Sequence, residues 1–339
     1  MMKKFFAVAL LTAFYTFALA QNDINVLRDN ARKQMVAGDM TAAITTLNRA
    51  VSIDGNNIEI KKDLALAYYY DKNYKKAIDI IEPVMNGDDA DVASYQLTGT
   101  IYKAMQDVKN AEKVYQQGLK DFPRSGPLHS EYGELLEILK RPREAIEMWE
   151  KGMQIAPSYS GNYYNAAVYY YKQPYDKIFA ILYGEIYANM ESMNPKTLSI
   201  KKMIQDTYKD LFAGTTLQSS INDTKNAFAK AVLQTYAKQS SVTNQLLNVE
   251  TLGMIRTRFI LDWNNANASQ FPFQLFDYHT MLMKEGLYES YNQWMFGPVD
   301  NEDAFKNWAA LHKEDYDKFT QFHTNRIFKM PPGQVYSAK

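Results

Sequence analysis

The sequence predicts an all-α protein, an array of antiparallel helix pairs followed by a second region that is also helical. Three observations carry this reading. Small residues recur every 34 positions, at Ala31, Ala65, Gly99, Gly133 and Ala167, and again at Ala43, Ala77, Ala111 and Ala145. Large apolar residues keep the same step at Leu47, Ile81, Tyr115 and Trp149, beside a third series of Ala50, Val84, Gly118 and Gly152. Beyond Asn194 the step is lost, yet apolar residues still recur at intervals of three and four, the mark of one helix face.

Composition narrows the function classes. Lys+Arg and Asp+Glu both number 38, so no net field steers the 339-residue chain toward nucleic acid or an anionic membrane. Cys is absent, which excludes disulfides, thiolate metal sites and Cys nucleophiles. Tyr is frequent, at 25, and its ring packs while its hydroxyl stays wet. That suits helix interfaces and recognition surfaces equally.

In chain order, Lys3 and Lys4 precede a mostly apolar run, Phe5–Leu19, and Ala18-Leu19-Ala20 supplies small residues where a signal peptidase reads. Residues 1–20 are therefore expected to be a secretory signal peptide. About 15 apolar residues are too few to span a bilayer comfortably, which disfavours an uncleaved anchor. Removing two Lys leaves 38 − 2 = 36 basic against 38 acidic groups, so the exported chain is expected to be close to neutral, with no transmembrane anchor.

The array then occupies 21–193, in units 24–57, 58–91, 92–125, 126–159 and a divergent 160–193. Small residues are needed where the first helix of a unit presses on the second, and large ones fill the adjacent hole. Pro123 and Pro157 stand where a helix must stop, and Pro142 starts one, where a missing N–H costs nothing. Pro83 falls inside an expected helix, and its ring should clash with the carbonyl of Asp79 and kink it. The last unit keeps Tyr163, Ala167 and Tyr170 but has Phe179 at the second small position, and its second helix, Tyr175–Met190, reads as long. A solenoid end must be capped, so the outer face of this unit is expected to be covered by the C-terminal region.

The region 194–330 reads as helices over Lys196–Phe212, Asn222–Ala237, a stripe of Leu252, Ile255, Phe259 and Trp263, then Gln274–Glu285. Gly286 marks a turn into a partner helix bearing Tyr288, Tyr291 and Met295, which should stop at Gly297-Pro298. Ser290 is its small residue, as in a degenerate repeat. Helices over Asn301–His312 and Glu314–Phe328 precede 331–339, expected to be a loose tail.

A step of 34 with this pattern resembles the tetratricopeptide repeat, and the resemblance implies a right-handed α–α superhelix. It also implies that the first helix of each pair lines the concave side, with its second, fifth, ninth, twelfth and thirteenth positions facing a groove. Here those give Arg28, Arg32, Lys62, Tyr69, Tyr70, Gln96, Thr100, Lys103, Glu134, Glu137, Tyr164, Tyr171 and Lys172. That groove would be basic and aromatic at its N-terminal end, polar in the middle and acidic in the fourth unit. Repeats that clamp a peptide carboxylate use a particular Lys/Asn set. Arg28 and Arg32 stand at the first-unit positions, but Asp63 replaces the next Asn, which argues against that clamp. The strings Arg256–Trp263, Phe271–Tyr278 and Tyr291–Gly297 are similar to an exported Bacteroidetes family of such proteins, implying an envelope location.

The search for chemistry returns little. No glycine-rich phosphate loop or Gly-x-Ser-x-Gly elbow is present. His129, His279, His312 and His323 are dispersed, and His312 and His323 would lie about 16 Å apart along one helix. Asp277 and His279 are two apart on a predicted helix and point to different sides. Glu131, Glu134 and Glu137 read as a solvated face before a carboxylate pair. Arg256 and Arg258 can hold an anion, or pair with Asp262 or Glu250. The expectation is a non-enzymatic scaffold of the bacterial envelope that holds a protein or peptide in its groove, with no cofactor, metal or nucleic acid. The alternative is an envelope enzyme or glycan-binding protein with its site near Asp277, Tyr278 and Trp294.

Overall fold

The computed structural model describes residues 23–239 and 247–337, so the expected signal peptide lies outside the described residues. Eighteen helices and no strand occur among the described residues. They fall into two compact units, up to Pro123 and from Arg124 onward.

The first unit holds three helix pairs: α1 (23–36) with α2 (Met40–Ile53), α3 (Ile58–Tyr70) with α4 (Tyr74–Met85), and α5 (Val92–Ala104) with α6 (Val108–Asp121). Side chains start most of them. Asp39, Asn73 and Asp107, 34 residues apart, cap the second helices by accepting from the amides of Ala42, Lys76 and Asn110. Asn57 and Asp91 cap first helices, the latter in a reciprocal box with Ser94. The turn inside each pair has a left-handed residue at the same register, Gly38 at φ 81°, Lys72 at 61° and Gln106 at 60°. Only the first is the glycine such a conformation favours. Helix α4 continues through Pro83, which falls in its last turn.

The second unit opens with two more pairs, α7 (Gly126–Ile138) with α8 (Pro142–Ile155), and α9 (Ser160–Lys172) with α10 (Ile178–Met190). The rest is α11 (Lys196–Phe212), α12 (Thr216–Asp223), α13 (Ala227–Ala237), α14 (Val249–Ala266), α15 (Gln274–Lys284), α16 (Tyr288–Asp300), α17 (Glu302–Leu311) and α18 (Lys313–Asn325). The α7–α8 turn repeats the left-handed position at Lys140, and Ser125 caps α7. Helix α10 is buried on all sides except at Met190, because α9, α11 and α13 all pack on it.

The packing code of the pairs is visible in the glycines. A Cβ on Gly99 would stand 2.4 Å from Tyr115 Cζ, and one on Gly133 would stand 2.2 Å from Trp149 Nε1. Each pair is 16 residues apart, and the same spacing joins Ala31 to Leu47 and Ala65 to Ile81. The small member is glycine only where the large member is aromatic. Trp149 lies fully inside, and its indole N–H donates to the Ser130 carbonyl at 3.0 Å.

Four expectations need correction. Helix α10 starts at Ile178 rather than Tyr175 and has 13 residues, since the chain before it takes a left-handed step at Asp176. The stretch Asn222–Ala237 is broken at Thr224, where Asn226 caps a new helix. Helix α16 runs past Gly297-Pro298 to Asp300. Pro298 cannot donate to the Trp294 carbonyl one turn back, but buried Lys201 does so, at 2.8 Å, with its ammonium 3.4 Å from the Trp294 ring centre. The tail is docked through Ser337. Tyr336 stacks on Phe228 at 4.2 Å and donates to the Pro272 carbonyl, while Ser337 Oγ is 2.6 Å from Tyr183 OH.

The glycine–aromatic match predicts that Gly133→Ala destabilises the second unit by about 1–3 kcal/mol, the usual cost of overpacking. Adding Trp149→Leu should recover stability relative to Gly133→Ala alone, since Ala with Leu is the pair at Ala31 and Leu47. Denaturant unfolding of the two variants checks this, and a double variant no more stable than the single would count against the match.

Candidate functional site

The first helices of the N-terminal unit, α1, α3 and α5, carry the predicted groove residues. Lys62, Tyr69, Tyr70, Gln96 and Thr100 come together along one cleft of about 540 Å³, completed by Glu59, Asp63, Leu66, Ala93 and Leu97. Tyr70 is 54% exposed, and its ring lies 5.4 Å from that of Tyr69, which also meets Tyr74 at 5.9 Å. Leu66 and Leu97 are half-buried, so the middle of the cleft is apolar and aromatic.

The N-terminal end is not the free basic patch expected from sequence. Arg28 Nε donates to Asp63 Oδ2 at 2.7 Å and its Nη2 to Glu59 at 3.2 Å. Arg32 donates to both oxygens of Asp63, at 3.2 and 3.3 Å. Lys62 Nζ reaches Asp91 at 2.7 Å and Glu59 at 2.5 Å. Three cations thus face three carboxylates. Burial disfavours the Lys62 charge, but the Asp91 and Glu59 carboxylates outweigh it and raise its pKa. The hydrogen bond from Lys62 is the chief reason Glu59 is held below the usual carboxylate range. Asp63, which replaces the Asn of a carboxylate clamp, occupies both arginines. Lys103 lies over the Tyr115 ring at 5.4 Å, outside the cleft.

In the second unit the remaining predicted residues are spread out. Glu134 accepts from Asn165 at 3.2 Å, and Glu137 pairs with Lys172 at 3.3 Å, so the fourth repeat is not an uncompensated acidic patch. Tyr164 packs on Tyr187 and beneath Lys196, 4.8 Å from its ring centre. Tyr171 is half-buried near the end of α9.

The first four helix pairs recur every 34 residues with one turn geometry. The fold is that of a tetratricopeptide-repeat array. Among solved structures, the chain aligns with PilF of Pseudomonas aeruginosa, at 15% identity over 63% of this chain and 98% of that one, with a TM-score of 0.47. A tetratricopeptide-repeat protein of Parabacteroides merdae aligns over 76% of this chain and 96% of its own, at 13% identity and a TM-score of 0.42. A thermophilic one of Thermus thermophilus aligns over 56% and 98%, at 15% identity and a TM-score of 0.44. No family model and no curated sequence matches the chain.

Beyond its repeats, the protein carries a buried ionic cluster that sequence reading missed. Glu185 on α10 is 1% exposed and takes contacts from Arg256 Nη2 of α14, His279 Nε2 of α15 at 2.8 Å and Tyr291 OH of α16 at 2.7 Å. Asn189 donates to Tyr291 OH at 2.7 Å. Burial alone would raise the Glu185 pKa, but Arg256 and His279 outweigh it and hold it at about 2. Arg256 therefore pairs with Glu185, and not with Asp262, which accepts from Gln239, or with Glu250. The signal was available, since Glu185 is the one charge in the apolar stretch Ile178–Met190.

The residues of the alternative site do not share a cleft. Tyr278 is buried, its hydroxyl 3.1 Å from His323 Nδ1, and Trp294 packs on Lys201 and His323. Asp277 lies in a shallow depression with Asn264, Thr280 and Lys284. Burial raises the pKa of Asp277.

A carboxylate whose pKa is lower in the folded than in the unfolded chain adds stability above its unfolded value, near 4.5, and loses it as pH falls toward 2. Glu185→Gln leaves the buried Arg256 charge unpaired and should cost on the order of 3–5 kcal/mol at neutral pH. The gap between wild type and variant should then narrow from pH 4.5 to pH 2 in denaturant unfolding. A gap that does not change with pH would show that Glu185 is not ionised in the fold.

Proposed function

We propose that this tetratricopeptide-repeat protein is a non-catalytic binding scaffold of the cell envelope, and that the α3–α5 cleft holds an extended, uncharged, apolar or aromatic segment of a protein partner. One observation carries the reading. The cleft exposes Tyr70 beside Tyr69, Leu66 and Leu97, while Arg28, Arg32 and Lys62 are taken up by carboxylates of the same unit. Aromatic anchors in a pre-formed surface contribute affinity with little ordering cost. Cations already paired offer little to an anionic ligand, so shape and apolar contact select the partner.

The envelope location is supported by the Lys3-Lys4, apolar and Ala18-Leu19-Ala20 sequence. No helix among the described residues is long and apolar enough to cross a membrane. The predicted division into a signal peptide, repeats to residue 193 and a C-terminal helical domain is kept as part of this proposal. So is the assignment of Gln96, Thr100, Glu134, Glu137, Tyr164, Tyr171 and Lys172 to recognition surfaces.

A peptide array screened with the full chain tests the proposal. Uncharged peptides with aromatic or branched aliphatic residues should bind, and Tyr69→Ala with Tyr70→Ala should weaken them about tenfold or more, the loss expected of a hot spot. Raising salt from about 0.05 to about 0.5 M should leave affinity nearly unchanged, since screening acts on charge. Selection of acidic peptides with steep salt dependence, or binding unaffected by the double substitution, would contradict it.

A further inference from the structure

Most helical glycines whose surroundings are described answer to packing. At Gly99, Gly133, Gly152, Gly184 and Gly297 a Cβ would meet a neighbour at 3.0 Å or less. At Gly253, in the first half of the 18-residue helix α14, it would meet only Asn292 Cβ at 3.9 Å and Cγ at 4.0 Å, ordinary contact distances. Glycine inside a helix costs about 1 kcal/mol relative to alanine, and here neither packing nor backbone geometry requires it. What the missing side chain leaves is space. Gly253 lines a cleft of about 540 Å³ between α14 and the α15–α16 turn, the size that encloses a small organic molecule.

The lining says what kind of molecule fits. Met254 and Met283 give adaptable apolar walls. In the cleft wall Asn292, only 3% exposed, donates its amide to the Tyr288 carbonyl at 2.7 Å, while its Oδ1, Gln293 Oε1 and Tyr288 OH are buried and have no hydrogen-bond partner among the described residues. At the rim stand two exposed carboxylates, Glu250 and Glu289, and one guanidinium, Arg258, none of them in an ion pair among the described residues. Two carboxylates against one guanidinium leave the rim with net negative charge.

We propose that the cleft between α14 and α16 is a binding site for a small organic amine, with an apolar body against Met254 and Met283, a cationic head toward Glu250 and Glu289, and the unpartnered polar groups of Asn292, Gln293 and Tyr288 in the wall beneath it. It is separate from the peptide cleft of the N-terminal unit and does not rest on that reading. A ligand ammonium makes charge-assisted hydrogen bonds with the rim carboxylates.

Phenethylamine, 2-phenylethanol and 3-phenylpropionate, titrated into the full chain by NMR, test the charge requirement. The amine should bind saturably, about tenfold or more tighter than the alcohol or the acid, a gap of about 1.4 kcal/mol. Gly253→Leu fills the cleft and should abolish amine binding, while an unfolding midpoint at or above that of wild type shows the fold intact. Glu250→Gln with Glu289→Gln, both at the surface, should weaken the amine and leave the alcohol unchanged. Equal binding of amine and alcohol, or an amine affinity that survives either change, overturns the assignment.

Discussion

Within the third and fourth repeats, one backbone passes so close to a facing aromatic ring that no Cβ fits between them. Gly99 against Tyr115 and Gly133 against Trp149 set how near the two helices of a pair lie. That closeness lets successive first helices present their side chains as a surface. In the first two repeats the same spacing pairs alanine with leucine or isoleucine, less bulk on both sides. The large member and the small member change together, as close packing at fixed density requires.

On that frame the electrostatics of the N-terminal unit resolve locally. Arg28, Arg32 and Lys62 belong to first helices of neighbouring repeats, and each finds a carboxylate on the next. These contacts tie helix to helix and remove the charge that a count of basic positions would assign to the groove. What remains available is Tyr70 and its apolar neighbours. In the C-terminal unit the same economy appears in the interior, where Glu185, Arg256, His279 and Tyr291 draw four helices onto one carboxylate. In a buried pair of this kind desolvation offsets much of the attraction, while removing one partner leaves the other charge uncompensated.

The repeats were legible because their signal is periodic. The left-handed turn residues Gly38, Lys72, Gln106 and Lys140 and the caps at Asn57, Asp91 and Ser125 keep the 34-residue step through the first four pairs. Helix ends were legible only where the chain's own chemistry decided them. Pro298 reads as a stop, yet α16 passes through it because Lys201, 97 residues earlier, takes the role of donor to the Trp294 carbonyl. No local pattern shows that. The tail reads as loose because Pro331-Pro332-Gly333 forbids helix, and it docks through Tyr336 and Ser337 onto rings that come from distant helices. The cleft residues of α3 and α5 could be named from register alone, but their partners could not, since a sequence position carries no information about which carboxylate lies 2.7 Å away.

The central claim is that recognition takes place on the α3–α5 face of the N-terminal unit. Hydrogen–deuterium exchange of the full chain, with and without a peptide selected by binding, tests it most directly. Slowed exchange confined to 59–70 and 93–100 is the result this account predicts. Slowed exchange in α2 and α4, or only in the helices after residue 194, would contradict it.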